Sequence, residues 1–279
     1  MNPDVVYKFV TPEMTETMLS NKSVRYTPLA DLNDPAESPM FNGDELLEVY
    51  GSWILSHMPR MSDAQRGAVA RFMASRNSLS QTAIMSKKWG ILCLSGIEAL
   101  SHSPMWSLYA GGHKGVAVGL SSDCNAIQGF NGLKEVNYGT TRPAGFQTFQ
   151  CKLECWRSER EFRAFKLLSP DSSSTDPNAR QLLLEHFDPT DIKDVVLGCR
   201  CGVDTWRFVT DWLKANGLDG LAVRHCVLDP AGLLSVISVP TEAVTSLFEC
   251  EAREMPHALA EEERIWKEHW NQLGGRKAR

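Results

Sequence analysis

Long hydrophobic runs and a strong excess of one charge are both missing from the 279-residue sequence. No apolar stretch approaches the roughly 18 residues of a membrane-spanning helix, so we expect no membrane partner. Lys and Arg number 29 against 34 Asp and Glu, a formal net charge of −5, so charge alone would not attract nucleic acid. The beginning of the chain has no basic segment followed by an apolar run. We therefore expect no secretory signal and a cytoplasmic location.

The most specific enzyme motifs are absent as well. The sequence has no G-x-G-x-x-G after a predicted strand, no P-loop, no G-x-S-x-G and no H-E-x-x-H. A Rossmann cofactor site, a P-loop nucleotide site, a nucleophile elbow and a zinc-protease helix therefore have little support.

The eight cysteines do not form a recognisable framework. In a chain of this length without an expected signal, reduced thiols are favoured over disulfides. Cys199, Cys201, His225 and Cys226 could be drawn as a zinc site, but the sequence contains no C-x2-C pair, which structural zinc sites usually have. We therefore expect no metal.

The composition is that of an ordinary globular protein, with 43% hydrophobic and 23% charged residues. Predicted strands cover 5–10, 23–27, 90–95, 115–120, 135–138, 192–197, 221–227 and 233–239. Predicted helices cover 11–21, 44–57, 62–75, 103–110, 179–187, 204–216 and 258–272, and 155–168 fits either a helix or a strand. Because strands and helices mix without strict alternation, we predict an α+β fold with a mixed or split sheet flanked by helices.

The predicted domain organisation is a single α+β domain over 1–250. A candidate internal break lies in the Ser-, Asp- and Pro-rich loop over 170–178. A C-terminal helical segment is predicted over 251–273, followed by a flexible tail over 274–279.

A polar loop follows the second predicted strand. Asn33 and Asp34 precede Pro35, which biases Asp34 towards an extended backbone. Asn and Asp also close Asx turns, so a simple turn is one interpretation. The other interpretation is a loop that lines a pocket at the end of the strand carrying Arg25.

Aromatic residues and a histidine flank a glycine-rich link. Trp106 and Tyr109 are three residues apart and share a face of the predicted helix, where they could stack on a planar ligand. His113 follows Gly111 and Gly112. The alternatives are that both aromatics belong to the core and that His113 is a structural hydrogen-bonding residue.

A charged cluster lies within the ambiguous segment. On a strand, Glu159, Glu161 and Arg163 share one face, so two carboxylates and a guanidinium would converge and perturb each other's pKa. On a helix, Glu159 and Arg163 form an i, i+4 pair below Trp156. A solvent-exposed charged face is the third interpretation.

Together these clusters resemble a large bacterial family of unknown function. The resemblance covers about residues 5–200 and departs from the family at Leu32 and Ala36, where the family prefers Phe. The motifs that carry it are Y-K-F at 7–9, L-N-D-P-A-E at 32–37, M-W-x-x-Y-A-x-x-H-x-G at 105–115, W-x-x-E-x-E-F-R at 156–163 and I-x-x-V-V-L-G at 192–198. Such families often occur in phage-defence gene neighbourhoods.

The layout is also similar to the compact NAD-binding fold of ADP-ribosyltransferases. That resemblance implies NAD as a substrate and a late Glu that stabilises the positive charge formed as nicotinamide leaves, with no metal. It implies catalytic roles for Glu161, Glu159 and His113. The implied ligand-binding residues are Lys8, Arg25, Asn33, Asp34, Trp106, Tyr109 and Arg163.

Three hypotheses follow. The first is an NAD-dependent ADP-ribosyltransferase or NAD glycohydrolase, a toxin or phage-defence effector, that transfers ADP-ribose to an unidentified protein or nucleic acid. The second is a non-catalytic domain that binds a nucleotide or a protein, in which Glu161 and Arg163 form a buried structural network. The third is a metal-dependent hydrolase or nuclease built from Asp34, Glu37, Glu159, Glu161 and His113.

Overall fold

A computed structural model describes residues 3–28, 31–32, 54, 58, 60–86, 89–130, 132–140, 149–168, 183–229, 231–239, 244 and 264. Its contacts divide the chain into two units, Met1–Val236 and Ile237–Arg279. The first unit carries the candidate site and the described strands from Val5 to Leu228. Of the second unit, only residues 237–239, 244 and 264 are described.

The described elements are those of an α+β protein. The helices are α1 (Pro12–Asn21), α2 (Asp63–Ser86), α3 (Ser103–Tyr109) and α4 (Val203–Ala215). The strands are β1 (Val5–Val10), β2 (Ser23–Pro28), β3 (Trp89–Ser95), β4 (Val116–Ser121), β5 (Lys134–Glu135), β6 (Asn137–Gly139), β7 (Cys151–Leu153), β8 (Glu161–Leu167), β9 (Leu183–His186), β10 (Ile192–Leu197), β11 (Val223–Leu228) and β12 (Leu234–Ser238). Short 3₁₀ helices cover Ile97–Ser101, Asn125–Ile127, Glu154–Glu159 and Pro189–Asp191.

Ten of the described strands form one mixed sheet. Eight follow the order β12-β11-β10-β4-β1-β3-β2-β9, while β8 pairs with β3 and β5. The β10–β11 pair is parallel, whereas β1 with β4 and β3 with β8 are antiparallel. Strands on both sides of 170–178 belong to this sheet. The mixed sheet and α+β class that the sequence predicts are therefore confirmed.

Local sequence signals explain the first helix. Thr11 has an extended backbone, and its hydroxyl oxygen accepts a hydrogen bond from the Met14 backbone N–H at 3.3 Å. Pro12 occupies the first turn, where its missing N–H costs nothing. Lys22, in the left-handed conformation at φ 49°, ends the helix and turns the chain into β2.

One face of the central strands forms a core with α3. Tyr7 and Phe9 of β1 pack in one buried cluster with Trp106 of α3. The Phe9 and Trp106 rings meet edge-on with centroids 5.0 Å apart. Gly115 lets the link after α3 approach the end of β1, since a Cβ there would lie 2.0 Å from the Val10 carbonyl oxygen. This packing fixes α3 against the strand that borders the candidate site.

The helix predicted over 179–187 is wrong over its described part. Residues Leu183–His186 form β9, which pairs antiparallel with β2 from Ser23–His186 to Tyr26–Leu183. Leu and Glu favour a helix by local propensity. In the fold, however, the backbone of this segment pairs with β2, a distant strand that local sequence does not indicate. Tertiary pairing therefore overrides propensity here.

Other predictions have mixed outcomes. The predicted strand 5–10 is found as β1, and 192–197 is found as β10. The helix predicted over 62–75 continues to Ser86. The helix predicted from Asp204 begins at Val203 instead, with Gly202 as N-cap. The predicted helices over 44–57 and 258–272 fall almost entirely outside the described residues. No helix in the described parts is both long and apolar enough to cross a lipid bilayer.

Candidate functional site

A pocket opens where β1 and β2 separate above β3. The pairings described on this edge of β3 join Ser95 to Tyr7 at one end, and Gly90 and Ile91 to Pro28 and Thr27 at the other. Between these ends the two partner strands diverge. The Lys8 side chain crosses this gap and donates to the Cys93 carbonyl oxygen at 2.9 Å.

The pocket is small, and its lining includes side chains of both positive and negative charge. Its volume is about 200 Å³, below the range of roughly 300–1,000 Å³ typical of drug-sized ligand sites. It would therefore hold one ring or sugar of a larger ligand. The described lining residues are Tyr7, Lys8, Phe9, Thr27, Asp31, Leu32, Cys93, Leu94, Ser95, Met105, Tyr109, Lys152 and Glu161.

The chain before β8 brings both glutamates to this pocket region. The ambiguous segment divides into a 3₁₀ helix ending at Glu159 and a strand beginning at Glu161. Arg160 between them adopts the left-handed conformation at φ 46°. The Glu161 backbone N–H donates to the Tyr138 hydroxyl at 2.8 Å, which fixes the first residue of β8.

Glu159 is 4% exposed and lies behind the pocket lining. The Tyr109 hydroxyl donates to its Oε1 at 2.7 Å, and the Lys152 ammonium donates to its Oε2 at 2.5 Å. The ammonium also lies 5.0 Å from the centre of the Trp156 ring. Glu159 therefore holds Tyr109 and Lys152 in place.

Glu161 is 3% exposed, and among the residues that the structure describes it has two cationic partners. Arg163 donates to Oε1 through Nε at 2.7 Å and to Oε2 through Nη2 at 2.9 Å. Lys152 also donates to Oε2, at 3.2 Å. Arg163 is completely buried, and its Nη1 donates to the Phe149 carbonyl oxygen at 2.8 Å. The bidentate contact orients the carboxylate at the edge of the pocket.

The two carboxyl groups are shifted in opposite directions. Burial acts to raise the pKa of Glu161, but the Arg163 guanidinium and the Lys152 ammonium outweigh burial and lower that pKa to about 2. Burial raises the pKa of Glu159, and Lys152 opposes that rise only in part. Burial and the adjacent Glu159 also raise the pKa of the Tyr109 phenol. At neutral pH Glu161 is thus a fixed negative charge and Tyr109 a neutral hydrogen-bond donor.

Glu161 should make folding stability depend on acid. Because its folded pKa of about 2 lies below the unfolded value near 4.3, it stabilises the fold above about pH 5 and loses that contribution as the pH falls towards 2. Glu159, with its raised pKa, acts in the opposite direction. Urea unfolding between pH 2 and 6 should therefore show a flatter acid loss in Glu161→Gln and a steeper one in Glu159→Gln. Parallel curves for wild type and Glu161→Gln would contradict this assignment.

The structure brings together five of the residues predicted for the site. Glu161, Tyr109 and Lys8 line the pocket, and Glu159 and Arg163 support it from behind. Two others take different positions. Trp106 is completely buried and donates to the Leu100 carbonyl oxygen at 2.8 Å, so no ring face is open to a ligand. Arg25 contacts the pocket-lining Asp31 at 3.6 Å without itself lining the pocket.

His113 lies away from this pocket. Its Nε2 contacts the hydroxyls of Ser107 at 3.1 Å and Ser103 at 3.3 Å, on a different face of α3 from Met105 and Tyr109. Asn33, Asp34 and Glu37 lie outside the described residues. The acidic metal site of the third hypothesis is thus not assembled among the residues that can be located.

Sequence reasoning missed Lys152 and Cys93. Lys152 joins the two glutamates, yet in the sequence it is a single lysine between Cys151 and Leu153, with nothing to mark it as buried. Cys93 lies in an apolar segment of the sequence that marks it only as a small buried residue, yet it lines the pocket and its thiol lies beside Glu161. Cys93 joins the site because β3 pairs with β8, and Lys152 joins it because the chain turns through the 3₁₀ helix between β7 and β8. No short motif records either contact.

We searched the described residues for metal-binding clusters and compared the chain with known proteins. The described residues contain no group of three or more His, Cys, Asp or Glu side chains that could hold a metal ion. The chain matches no protein-family model, no curated protein and no solved structure.

Proposed function

We propose that this protein is an ADP-ribosyltransferase-like enzyme that cleaves the bond between nicotinamide and ribose in NAD. The observation that carries the proposal is the ionised, buried carboxylate of Glu161 at the edge of a pocket formed where two strands separate. The separation of β1 from β2 along β3 supports a likeness to the split sheet of ADP-ribosyltransferases.

Glu161 would stabilise the reaction electrostatically. Loss of nicotinamide develops positive charge on the ribose, and a fixed carboxylate lowers the energy of that state, as in glycoside hydrolysis. Arg163 and Lys152 keep the carboxylate ionised and oriented, so it requires no reorganisation during the reaction. The neutral Tyr109 would line the ring-binding wall, and Lys8 would hold a phosphate or a ribose hydroxyl.

The setting of the reaction is proposed on chemical grounds. All seven described cysteines are free thiols, which fits a reducing compartment such as the cytoplasm.

A pocket of about 200 Å³ would take the nicotinamide or ribose end and leave the rest of NAD outside it. An acceptor, whether protein, nucleic acid or water, would approach from that side. The proposed biological role of the protein is that of a toxin or phage-defence effector that uses this chemistry.

The test is to incubate the purified protein with NAD, with and without a bacterial lysate. Nicotinamide release would be followed by chromatography, and transfer would be followed with NAD labelled in its adenylate half. We expect release in both reactions, and labelled macromolecules if the acceptor is in the lysate. Absence of release, with no change in thermal unfolding at millimolar NAD, would overturn the proposal.

A non-catalytic binding domain is the second candidate. The observation in its favour is that Arg163 and Lys152 already occupy both oxygens of Glu161. Among the described residues, two glutamates and two cations then form a paired network that would specify the fold. NAD or another nucleotide that raises the unfolding temperature without nicotinamide release would favour this candidate.

A further inference from the structure

A second polar cluster lies at the junction of β4, β10 and the link after α3. The exposed Cys199 thiol contacts His113 Nδ1 at 3.6 Å, within the range of a hydrogen bond to sulfur. The other ring nitrogen of His113 faces the hydroxyl oxygens of Ser103 and Ser107. The imidazole thus lies between a thiol and two serine hydroxyls, and the pocket at Glu161 includes none of these four residues.

The backbone holds this pair together at some conformational cost. His113 adopts a left-handed conformation at φ 70°, an uncommon one for a residue with a side chain. Its backbone N–H donates to the Trp106 carbonyl oxygen at 3.1 Å, and its carbonyl oxygen accepts from the Arg200 N–H at 3.0 Å. Gly198 permits this approach, because a Cβ there would lie 2.2 Å from the His113 carbonyl oxygen. Strained residues that neighbouring contacts keep in place are typical of functional sites.

We propose that Cys199 is a reactive thiol, with His113 as its general base, and that it is a site of oxidation by hydroperoxides. In the tautomer that carries its proton on Nε2, the imidazole donates to a serine hydroxyl and the lone pair of Nδ1 faces the thiol, which is the form that this role requires. Thiols beside an imidazole are typical nucleophiles. Partial burial and the adjacent Arg200 lower the pKa of His113, so the imidazole is neutral and free to accept a proton at neutral pH.

The reaction balances with hydrogen peroxide as the only co-reactant. Nδ1 takes the thiol proton, and the sulfur attacks one peroxide oxygen. The S–O bond forms as the O–O bond breaks, the sulfur loses two electrons, and the peroxide gains them. The departing hydroxide takes the proton from the imidazolium, giving water and a sulfenic acid on Cys199.

Cys155 provides an internal control, because it is the other exposed thiol among the described cysteines. The reduced protein would be treated with hydrogen peroxide and dimedone, which traps sulfenic acids, and both cysteine peptides would be quantified by mass spectrometry. We expect Cys199 to react at least about tenfold faster than Cys155, a modest effect for general-base assistance.

The variant His113→Asn tests the role of the imidazole, since Asn tolerates a left-handed backbone. It should slow Cys199 oxidation by about tenfold and leave Cys155 unchanged. Should that variant fail to fold, Ser103→Ala combined with Ser107→Ala changes two exposed residues and should slow Cys199 about fivefold, the value of one hydrogen bond. Equal rates for the two cysteines in wild type, or an unchanged Cys199 rate in the folded variant, would overturn the proposal.

Discussion

Replacing Glu161 with Gln is expected to reduce nicotinamide release from NAD by at least about 100-fold, as when one electrostatic stabiliser of a transition state is removed. Gln keeps the size of the side chain but removes the negative charge that Arg163 and Lys152 hold at the pocket. The loss should fall on kcat rather than KM, because the charge acts on the developing cation and not on bound NAD. Steady-state kinetics over a range of NAD concentrations measures both.

Glu159→Gln is the matched control for that experiment. It removes a carboxylate from the same network and the same Lys152, but Glu159 lies behind the pocket lining. We expect this variant to keep most of its activity at a temperature where near-UV circular dichroism shows both variants to be folded. Equal losses in the two variants would mean that network integrity, rather than the charge at the pocket, supports turnover. Full activity in Glu161→Gln would remove Glu161 from the mechanism.

Replacing Arg163 with Leu is expected to lower the free energy of unfolding by about 3–5 kcal/mol, the usual effect of removing one partner from a buried ion pair. Arg163 is completely buried, and its loss leaves the Glu161 carboxylate with Lys152 as its cationic partner among the described residues. The donation to the Phe149 carbonyl oxygen is lost as well. Urea unfolding at pH 7 measures the change.

Two further variants make the Arg163 result specific. Arg157→Leu removes an arginine whose ion pair with Glu154 lies at the surface, so the free energy of unfolding of this variant should stay close to that of the wild type. The double variant Arg163→Leu with Glu161→Leu removes both members of this ion pair and leaves Lys152 with Glu159. It should be more stable than Arg163→Leu alone. A cost for Arg163→Leu as small as that for Arg157→Leu would contradict the buried network.

Several elements follow from local sequence. The apolar segment at 5–10 forms β1, Thr11-Pro12 begins α1, and the pair Gly111-Gly112 follows α3 with both glycines at positive φ. Each depends on side-chain periodicity, a capping hydroxyl or a glycine conformation, which neighbouring residues dictate. The sequence likewise predicts that Glu161 and Arg163 share one face if the segment is a strand, as it is in β8.

The tertiary structure decided the remainder. Leu183–His186 became a strand because β2 offered it a backbone partner. Lys152 contacts Glu159 and Glu161 because a 3₁₀ helix turns the chain between β7 and β8. His113 contacts Cys199 because β10 ends beside the start of β4. The sequence by itself determined which residues could carry charge, cap a helix or turn the chain. Which of them came together depended on contacts between distant segments, whose energies no local pattern contains.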